Sequence, residues 1–244
     1  MPGPDVLVLC YHAISESWRS SLAVTPDRLD QDVARIVSRG YVGATLSEAI
    51  TAPPAARTVV VSFDDAYRST RLAAPILARH GVPGTVFAPT SFVGTDAPMR
   101  WPGIEEWSDG PDREELLCMD WDDLSELAGA GWEVGSHTVS HPRLPELDDA
   151  ALREELTASR DELEVRLARP CTAIAYPYGL WDQRVADAAA AAGYRAGGTL
   201  SRWPHRPQPL AWPRVGCYEG DRLFPLKTAA PLRRAVTFLR RHRD

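Results

Sequence analysis

Val59-Val60-Val61-Ser62-Phe63-Asp64-Asp65 is the stretch on which the reading of this chain turns. Five residues of mostly β-branched and aromatic character run straight into two adjacent carboxylates. Such a run reads as a buried strand, and a buried strand does not tolerate unpaired acids. The acid pair therefore belongs at the C-terminal end of the strand, where the chain leaves the core. In β/α barrels that edge is where catalytic residues collect.

The same alternation extends in both directions. Val6 to Cys10 reads as a first buried strand, with Tyr11-His12 just beyond it. Thr25-Pro26 supplies a cap and a first helical residue, and Gly40 ends that helix. After the acid pair, the spacing of Leu72, Ile76 and Leu77 predicts a helix over residues 69–80, followed by a strand at Thr85–Ala88. Trp121 to Ala130 reads as a helix, and Trp132-Glu133-Val134 as a strand leading into Ser136-His137-Thr138-Val139-Ser140-His141. Leu152, Leu156, Leu163 and Leu167 mark an amphipathic helix over residues 148–167. A strand at residues 172–176 ends in Pro177-Tyr178-Gly179, and an Ala-rich helix covers residues 181–192. Strands near Tyr194–Thr199 and Pro213–Cys217 and a basic helix over about 228–243 complete the chain. Strands alternating with helices, without repeats or linkers, predict a mainly parallel α/β fold in one barrel-like domain.

Composition narrows the function classes. The 244 residues suffice for one barrel, and a hydrophobic fraction of 44% is ordinary for a globular protein. A formal charge of −6 gives no electrostatic case for nucleic acid. Four scattered cysteines without a CxxC pair predict buried free thiols. No stretch reaches the roughly 20 apolar residues of a membrane span, and the short run after Met1-Pro2-Gly3-Pro4-Asp5 lacks the flanks of a signal peptide. The expectation is a cytoplasmic protein, or a secreted one if a leader has been removed.

The chemistry lies in the strand ends. His137 and His141 stand four residues apart, and with Asp65 they make the two-histidine, one-carboxylate set that holds a divalent metal with open positions. Iron oxygenases use the same set, so the neighbouring Asp64 carries the choice of chemistry. A bound metal brings the pKa of water toward about 7, and a free carboxylate beside it can take the remaining proton, worth roughly 10²–10⁴-fold. Acyl hydrolysis also needs an oxyanion donor, for which the Tyr178 backbone N–H in its turn is a candidate, worth about 10²–10³-fold. Residues 94–118 form a long irregular segment with two tryptophans, Trp101 and Trp107, that can either stack on sugar rings or pack the loop down.

Taken together, Ser62-Phe63-Asp64-Asp65, His137-Thr138-Val139-Ser140-His141 and Tyr176-Pro177-Tyr178-Gly179 resemble the first three motifs of the polysaccharide deacetylases (NodB-homology domain, carbohydrate esterase family 4). The likeness runs over about residues 5–218. It implies a distorted (β/α)7 TIM-like barrel and metal-dependent removal of acetyl from an N- or O-acetylated sugar. By position it makes Asp64 the general base, and Asp65, His137 and His141 the ligands of a metal, usually zinc with cobalt or manganese tolerated. Tyr178 would be the oxyanion donor, with Tyr176, Pro177, Trp101 and Trp107 on the substrate side. The implied partner is an N-acetylated carbohydrate.

The chain departs from that pattern three times. Ala66 replaces the usual Gly after the acid pair. Ala175 stands where many members carry an Arg that orients the base; Arg214 is the candidate replacement. The late Leu-x-His motif with the general acid is missing, which makes His12 the candidate proton donor and His205 the second choice. The alternatives are an amide or cyclic-imide hydrolase on the same scaffold and a non-catalytic carbohydrate-binding relative.

Overall fold

The structure, a computed structural model, describes residues 5–200 and 206–229. The expected basic helix over about 228–243, with Arg233 to Arg243, lies almost wholly outside the described residues, as does His205.

The strands are β1 (Asp5–Tyr11), β2 (Ala13–Ile14), β3 (Ala23–Val24), β4 (Val42–Gly43), β5 (Arg57–Phe63), β6 (Gly84–Ala88), β7 (Glu133–Ser136), β8 (Ala173–Ala175), β9 (Ala196–Thr199), β10 (Trp212–Pro213) and β11 (Val215–Gly216). The helices are α1 (Pro26–Val37), α2 (Leu46–Thr51), α3 (Ala73–Arg79), α4 (Glu105–Ser108), α5 (Trp121–Gly129), α6 (Asp149–Leu167), α7 (Gln183–Ala191) and α8 (Phe224–Lys227). The main sheet runs in the order β10-β9-β8-β7-β6-β5-β1-β11, with β4 also on β5. Every ladder in it is parallel. β2 and β3 form a separate parallel pair.

The strand expected at Pro213–Cys217 is a segment beginning at Trp212 and divided between the two edges of that sheet. β10 pairs with β9, and β11, one residue later, pairs with β1. A single chain segment thus spans the seam and brings the sheet close to a closed barrel. Counted as one stave, it joins β1, β5, β6, β7, β8 and β9 to give the seven-stave α/β barrel. Arg214 is the residue at the crossing, and its N–H donates to Thr199 O at 3.0 Å.

Alternation along the staves sorts side chains into two populations. Val8, Val60, Phe87, Ala173 and Ala196 pack with Leu46 and Ala49 of α2 in one cluster, the inside of the barrel. Leu7, Leu9, Val59, Val61, Val86, Val134 and Ile174 join the other, between sheet and helices. There Leu29 and Ile36 of α1, Leu124 of α5, and Leu152, Leu156 and Leu163 of α6 meet them. Each fully buried side chain of this size contributes roughly 1.5–3 kcal/mol.

α2 seals the N-terminal end of the barrel. Its start is fixed by a capping box between Thr45 and Glu48. Leu46 N donates to Thr85 Oγ1 at 3.0 Å and Ser47 N to the Glu133 carboxylate at 3.1 Å. Only the C-terminal end is left for a ligand. The predicted helix at residues 69–80 is a 3-10 turn over Arg68–Leu72 followed by α3. All four cysteines are buried and unpaired. No helix among the described residues is long and apolar enough to cross a membrane.

Candidate metal and catalytic centre

Apart from Arg214, which lies in the middle of the seam stave, the predicted polar site residues lie beyond the C-terminal ends of staves. Asp64 and Asp65 follow β5, His137 follows β7, the Pro177-Tyr178-Gly179 turn follows β8, His12 follows β1, and Arg214 sits at the seam. Sharp turns at these exits swing consecutive side chains apart. Asp65 and Ala66 have φ of 68° and 47°, Thr138 and His141 of 70° and 60°, and Tyr178 of 58°. Among the described residues only one other non-glycine residue, Ala168, has positive φ. Left-handed backbone at β-branched and bulky residues costs energy and persists where surrounding structure enforces it, often at functional sites. Ala66 thus occupies a conformation in which glycine carries no penalty.

Asp65 Oδ1 lies 3.2 Å from His137 Nε2 and 3.4 Å from His141 Nε2. All three side chains are buried. His137 Nδ1 is 2.8 Å from Ala175 O; a carbonyl only accepts, so Nδ1 carries a proton and Nε2 is the nitrogen turned toward Asp65. Burial lowers the pKa of this ring, but the Asp65 and Asp64 carboxylates and the Ala175 carbonyl together raise it above the ordinary value. Burial pushes the His141 imidazole down to about 3, so that ring is neutral at ordinary pH. Asp65 Oδ1 receives no hydrogen bond.

A buried carboxylate facing two imidazoles calls for positive charge among them, whether a proton or a metal cation. Tetrahedral N and O ligands about 2.0–2.1 Å from such an ion stand about 3.3–3.4 Å apart, close to the separations here. The residues fit a small divalent cation.

Asp64 is placed differently. Arg214 Nη1 donates to its Oδ1 at 2.6 Å and Nη2 to its Oδ2 at 2.7 Å, a two-pronged pair in which both side chains are buried. Cys10 Sγ approaches Oδ2 at 3.4 Å. Burial is the largest influence and on its own raises the Asp64 pKa, but the Arg214 charge, the His137 ring and the Arg214 hydrogen bonds together outweigh it and hold the carboxyl below its usual range. A small residue makes the reach possible. A Cβ on Gly198 would stand 2.8 Å from Arg214 Cδ and Nε.

His12 is half-buried, and a ring nitrogen of it lies within 4.8 Å of both Cys10 Sγ and an Asp64 oxygen. Its Nδ1 is buried without a partner. The turn at residues 177–179 is closed by Gly179 N to Tyr176 O at 2.8 Å and Leu180 N to Pro177 O at 3.1 Å. It brings the Tyr178 ring edge-on to His141, centroids 4.7 Å apart. Arg143 lies over the other aromatic surface of Tyr178, 4.7 Å from the ring centre.

The remaining expected residues lie elsewhere. Tyr176 is fully buried and donates its hydroxyl to Leu210 O at 2.7 Å, and Pro177 is buried beneath the turn; both shape the turn from inside. Trp101 is buried and stacks on His141, with centroids 4.0 Å apart and planes 18° from parallel. Trp107 is half-buried and meets Trp18 edge-on at 5.3 Å. The ring contacts of the two tryptophans lie within the chain, Trp101 with His141 and Phe92 and Trp107 with Trp18.

One functional neighbour has no counterpart in the sequence expectations. Glu155 of α6 accepts from Val139 N at 2.8 Å, Ser140 N at 3.0 Å and Ser140 Oγ at 2.5 Å. It anchors the loop between the two histidines. The only hint in the sequence is an acid set beside the Leu152–Leu156–Leu163 stripe.

Comparison with known proteins agrees with this arrangement. A sequence profile described as "Polysaccharide deacetylase" matches residues 51–197. YxkH of Bacillus subtilis (strain 168), whose name places it among putative polysaccharide deacetylases, is 25% identical over 198 residues, 79% of this chain and 63% of that protein. A chitooligosaccharide deacetylase of Bradyrhizobium sp. (strain ANU 289) is 29% identical over 165 residues, 65% of this chain and 61% of that protein. The chain therefore spans less than two thirds of either curated relative. Among solved structures, the Streptococcus pyogenes deacetylase PplD superposes with a TM-score of 0.72 at 22% identity, covering 90% of this chain and 95% of that one. IcaB from Ammonifex degensii gives 0.73 at 23%, covering 94% and 98%. These two likenesses are of fold. The profile match extends over more than half of the sequence and holds the acid pair, both histidines and the aromatic turn: the chain belongs to the polysaccharide deacetylase family.

Proposed function

We propose that this protein is a metal-dependent hydrolase that removes an acetyl group from an N-acetylated sugar. The observation that carries the reading is the contrast between two adjacent carboxylates. Asp65 faces the Nε2 atoms of two buried imidazoles, and the neighbouring Asp64 is clamped by a guanidinium.

Asp65, His137 and His141 are the ligands in this reading, and the ion is zinc by preference because two imidazoles and one carboxylate suit it, with cobalt or manganese as substitutes. When bound, the metal supplies Lewis acidity, polarising the acyl oxygen and acidifying a water. The protein's own groups do the rest. Asp64 takes the proton released as water attacks the acetyl carbon. Both its oxygens already accept from Arg214, but a carboxylate offers about four lone-pair positions, so capacity remains. Arg214 keeps it ionised and fixes its plane, at the cost of making it a weak base that serves only toward an acidified water.

The Tyr178 N–H stabilises the oxyanion as the carbonyl becomes tetrahedral. His12, open on one side to solvent, gives its proton to the sugar nitrogen as the C–N bond breaks, leaving acetate and a free amine. The sugar class follows the Bradyrhizobium relative's name, and an N-acetylglucosamine oligomer is the first substrate to try.

Acetate release from such oligomers, measured before and after chelation and after addition of zinc or cobalt, tests the reading. Activity that vanishes with the chelator and returns with metal is the expected result. Release that is unaffected by chelation, or absent from every acetylated sugar tried with one equivalent of metal bound, would overturn it.

A further inference from the structure

We propose that Trp101 is a positioning residue for His141, doing by ring stacking what a hydrogen bond does for His137. The inference rests on the reading of Asp65, His137 and His141 as a cation site.

Ligand histidines are ordinarily oriented through the nitrogen that does not touch the metal, which donates to a carbonyl or carboxylate. His137 obeys this rule, with Nδ1 on Ala175 O at 2.8 Å. His141 does not: its Nδ1 is buried and has no partner. Its backbone sits at φ 60°, held by its own N–H donating to Thr138 Oγ1 at 3.1 Å. What fixes the ring is aromatic contact on several sides. Trp101 covers one face at 4.0 Å and 18°, while Tyr178 and His137 approach at 4.7 Å and 4.8 Å, each at 64°.

Trp101 is itself held. Phe92 meets it edge-on at 5.4 Å, and its carbonyl accepts from Ile104 N at 3.1 Å. Met99 N donates to Leu116 O at 2.9 Å, and Met99, Ile104 and Leu116 are all buried beneath the loop. The irregular segment between β6 and α5 is therefore seated directly on the back of a candidate ligand.

Stacking of this kind depends on the state of the site. An imidazole that shares its Nε2 lone pair with a cation becomes electron-poor, and the indole face is electron-rich, so their attraction strengthens on loading. The contact then favours the loaded form over the empty one. By linkage the converse holds, and cation binding tightens the seating of the loop. A tryptophan that merely filled space would stabilise both forms equally and leave affinity unchanged.

The test uses metal-free protein titrated with Co2+, with affinity read by chelator competition, for wild type, Trp101→Leu and Trp101→Phe. Melting of each metal-free variant is recorded alongside. Trp101→Leu should lose on the order of 10- to 100-fold in cobalt affinity, the range seen when a ligand's orienting partner is removed, and Trp101→Phe should recover most of it. Hydrogen exchange of wild-type residues 99–107 should slow on cobalt saturation.

Equal affinity for wild type and Trp101→Leu overturns the inference, as does a Trp101→Phe variant as impaired as Trp101→Leu. If the leucine variant does not fold, the exchange experiment decides, and unchanged exchange over residues 99–107 overturns it. Failure of the underlying reading looks different: wild type then takes up no equivalent of cobalt, or Asp65→Ala takes up as much as wild type, and the inference falls with it.

Discussion

The two ends of the barrel interior are filled by the same alternate positions of the same strands, yet they hold opposite chemistry. Toward the N-terminal end, Val8, Val60, Phe87, Ala173 and Ala196 pack with α2 into an apolar plug. Two and four residues further along the same strands come Cys10, Ser62 and Asp64, joined by His137 and Arg214. On β5 two steps of the inward pattern, from Val60 through the neutral Ser62 to Asp64, turn a hydrophobic contact into a buried charge. The plug is what makes the charges affordable, because it fixes the staves that aim them.

The comparison is broken hardest by removing one charge from the upper layer. Asp64→Asn should retain metal but slow acetate release by roughly 10²–10⁴-fold. It should also destabilise the fold by about 3–5 kcal/mol, since Arg214 is left charged and buried. Urea melts beside kinetic assays separate the two effects.

Arg214→Met removes the other partner and brings a pH signature. The folded Asp64 carboxyl is held below its unfolded value, so in wild type the pair's contribution is fully present above about pH 4 and is lost as pH falls through the folded value. In the variant, uncompensated Asp64 is forced to take up a proton instead. The stability gap, about 3–5 kcal/mol at neutral pH, should therefore narrow as pH falls, first because protonation of buried Asp64 relieves the variant above about pH 4 and then because the wild type loses the pair's contribution below it. A gap that stays constant from neutral pH to pH 3 would mean that Asp64 is not the group Arg214 stabilises.

A gentler probe leaves the charges and disturbs only their spacing. Gly198→Ala places a methyl carbon 2.8 Å from the Arg214 side chain. It should cost roughly 1–3 kcal/mol of stability and up to about 10²-fold in rate if the base moves by an ångström. The smallest effect is expected at Ala66, whose φ of 47° is strained for any L-residue. Ala66→Gly should stabilise by about 0.5–1 kcal/mol, the relief of left-handed backbone less the entropy of a freer unfolded chain. Denaturant midpoints at constant slope would show it.

Much of this was legible in the sequence because strand ends announce themselves. An apolar run halted by Asp64-Asp65, and a shorter one entering His137, are enough to place both groups on one rim. Helix starts such as Thr25-Pro26 and Asp148 were readable for a similarly local reason, since a cap is a single side chain bonding to the next turn.

What resisted reading was anything set by closure. Residues 213–217 look like one strand, and only the meeting of two sheet edges splits that stretch; Arg214 could be named as the partner of Asp64, 150 residues earlier, from the family pattern but not from any local signal. Trp101 resisted for a related reason. An irregular segment carries no period, so nothing local distinguishes an indole offered to solvent from one laid on His141. Glu155 was hidden by ordinariness, as one acid among several on a long helix.

The seam stave has a consequence for how the protein comes into being. Arg214 is emplaced by the last-made piece of the barrel, so a chain still being synthesised can pair its earlier strands but cannot neutralise Asp64. Assembly of the container and arming of its contents are thereby one event. A truncated or nicked product ending before residue 212 should be frayed at the seam and left with Asp64 buried but unpaired.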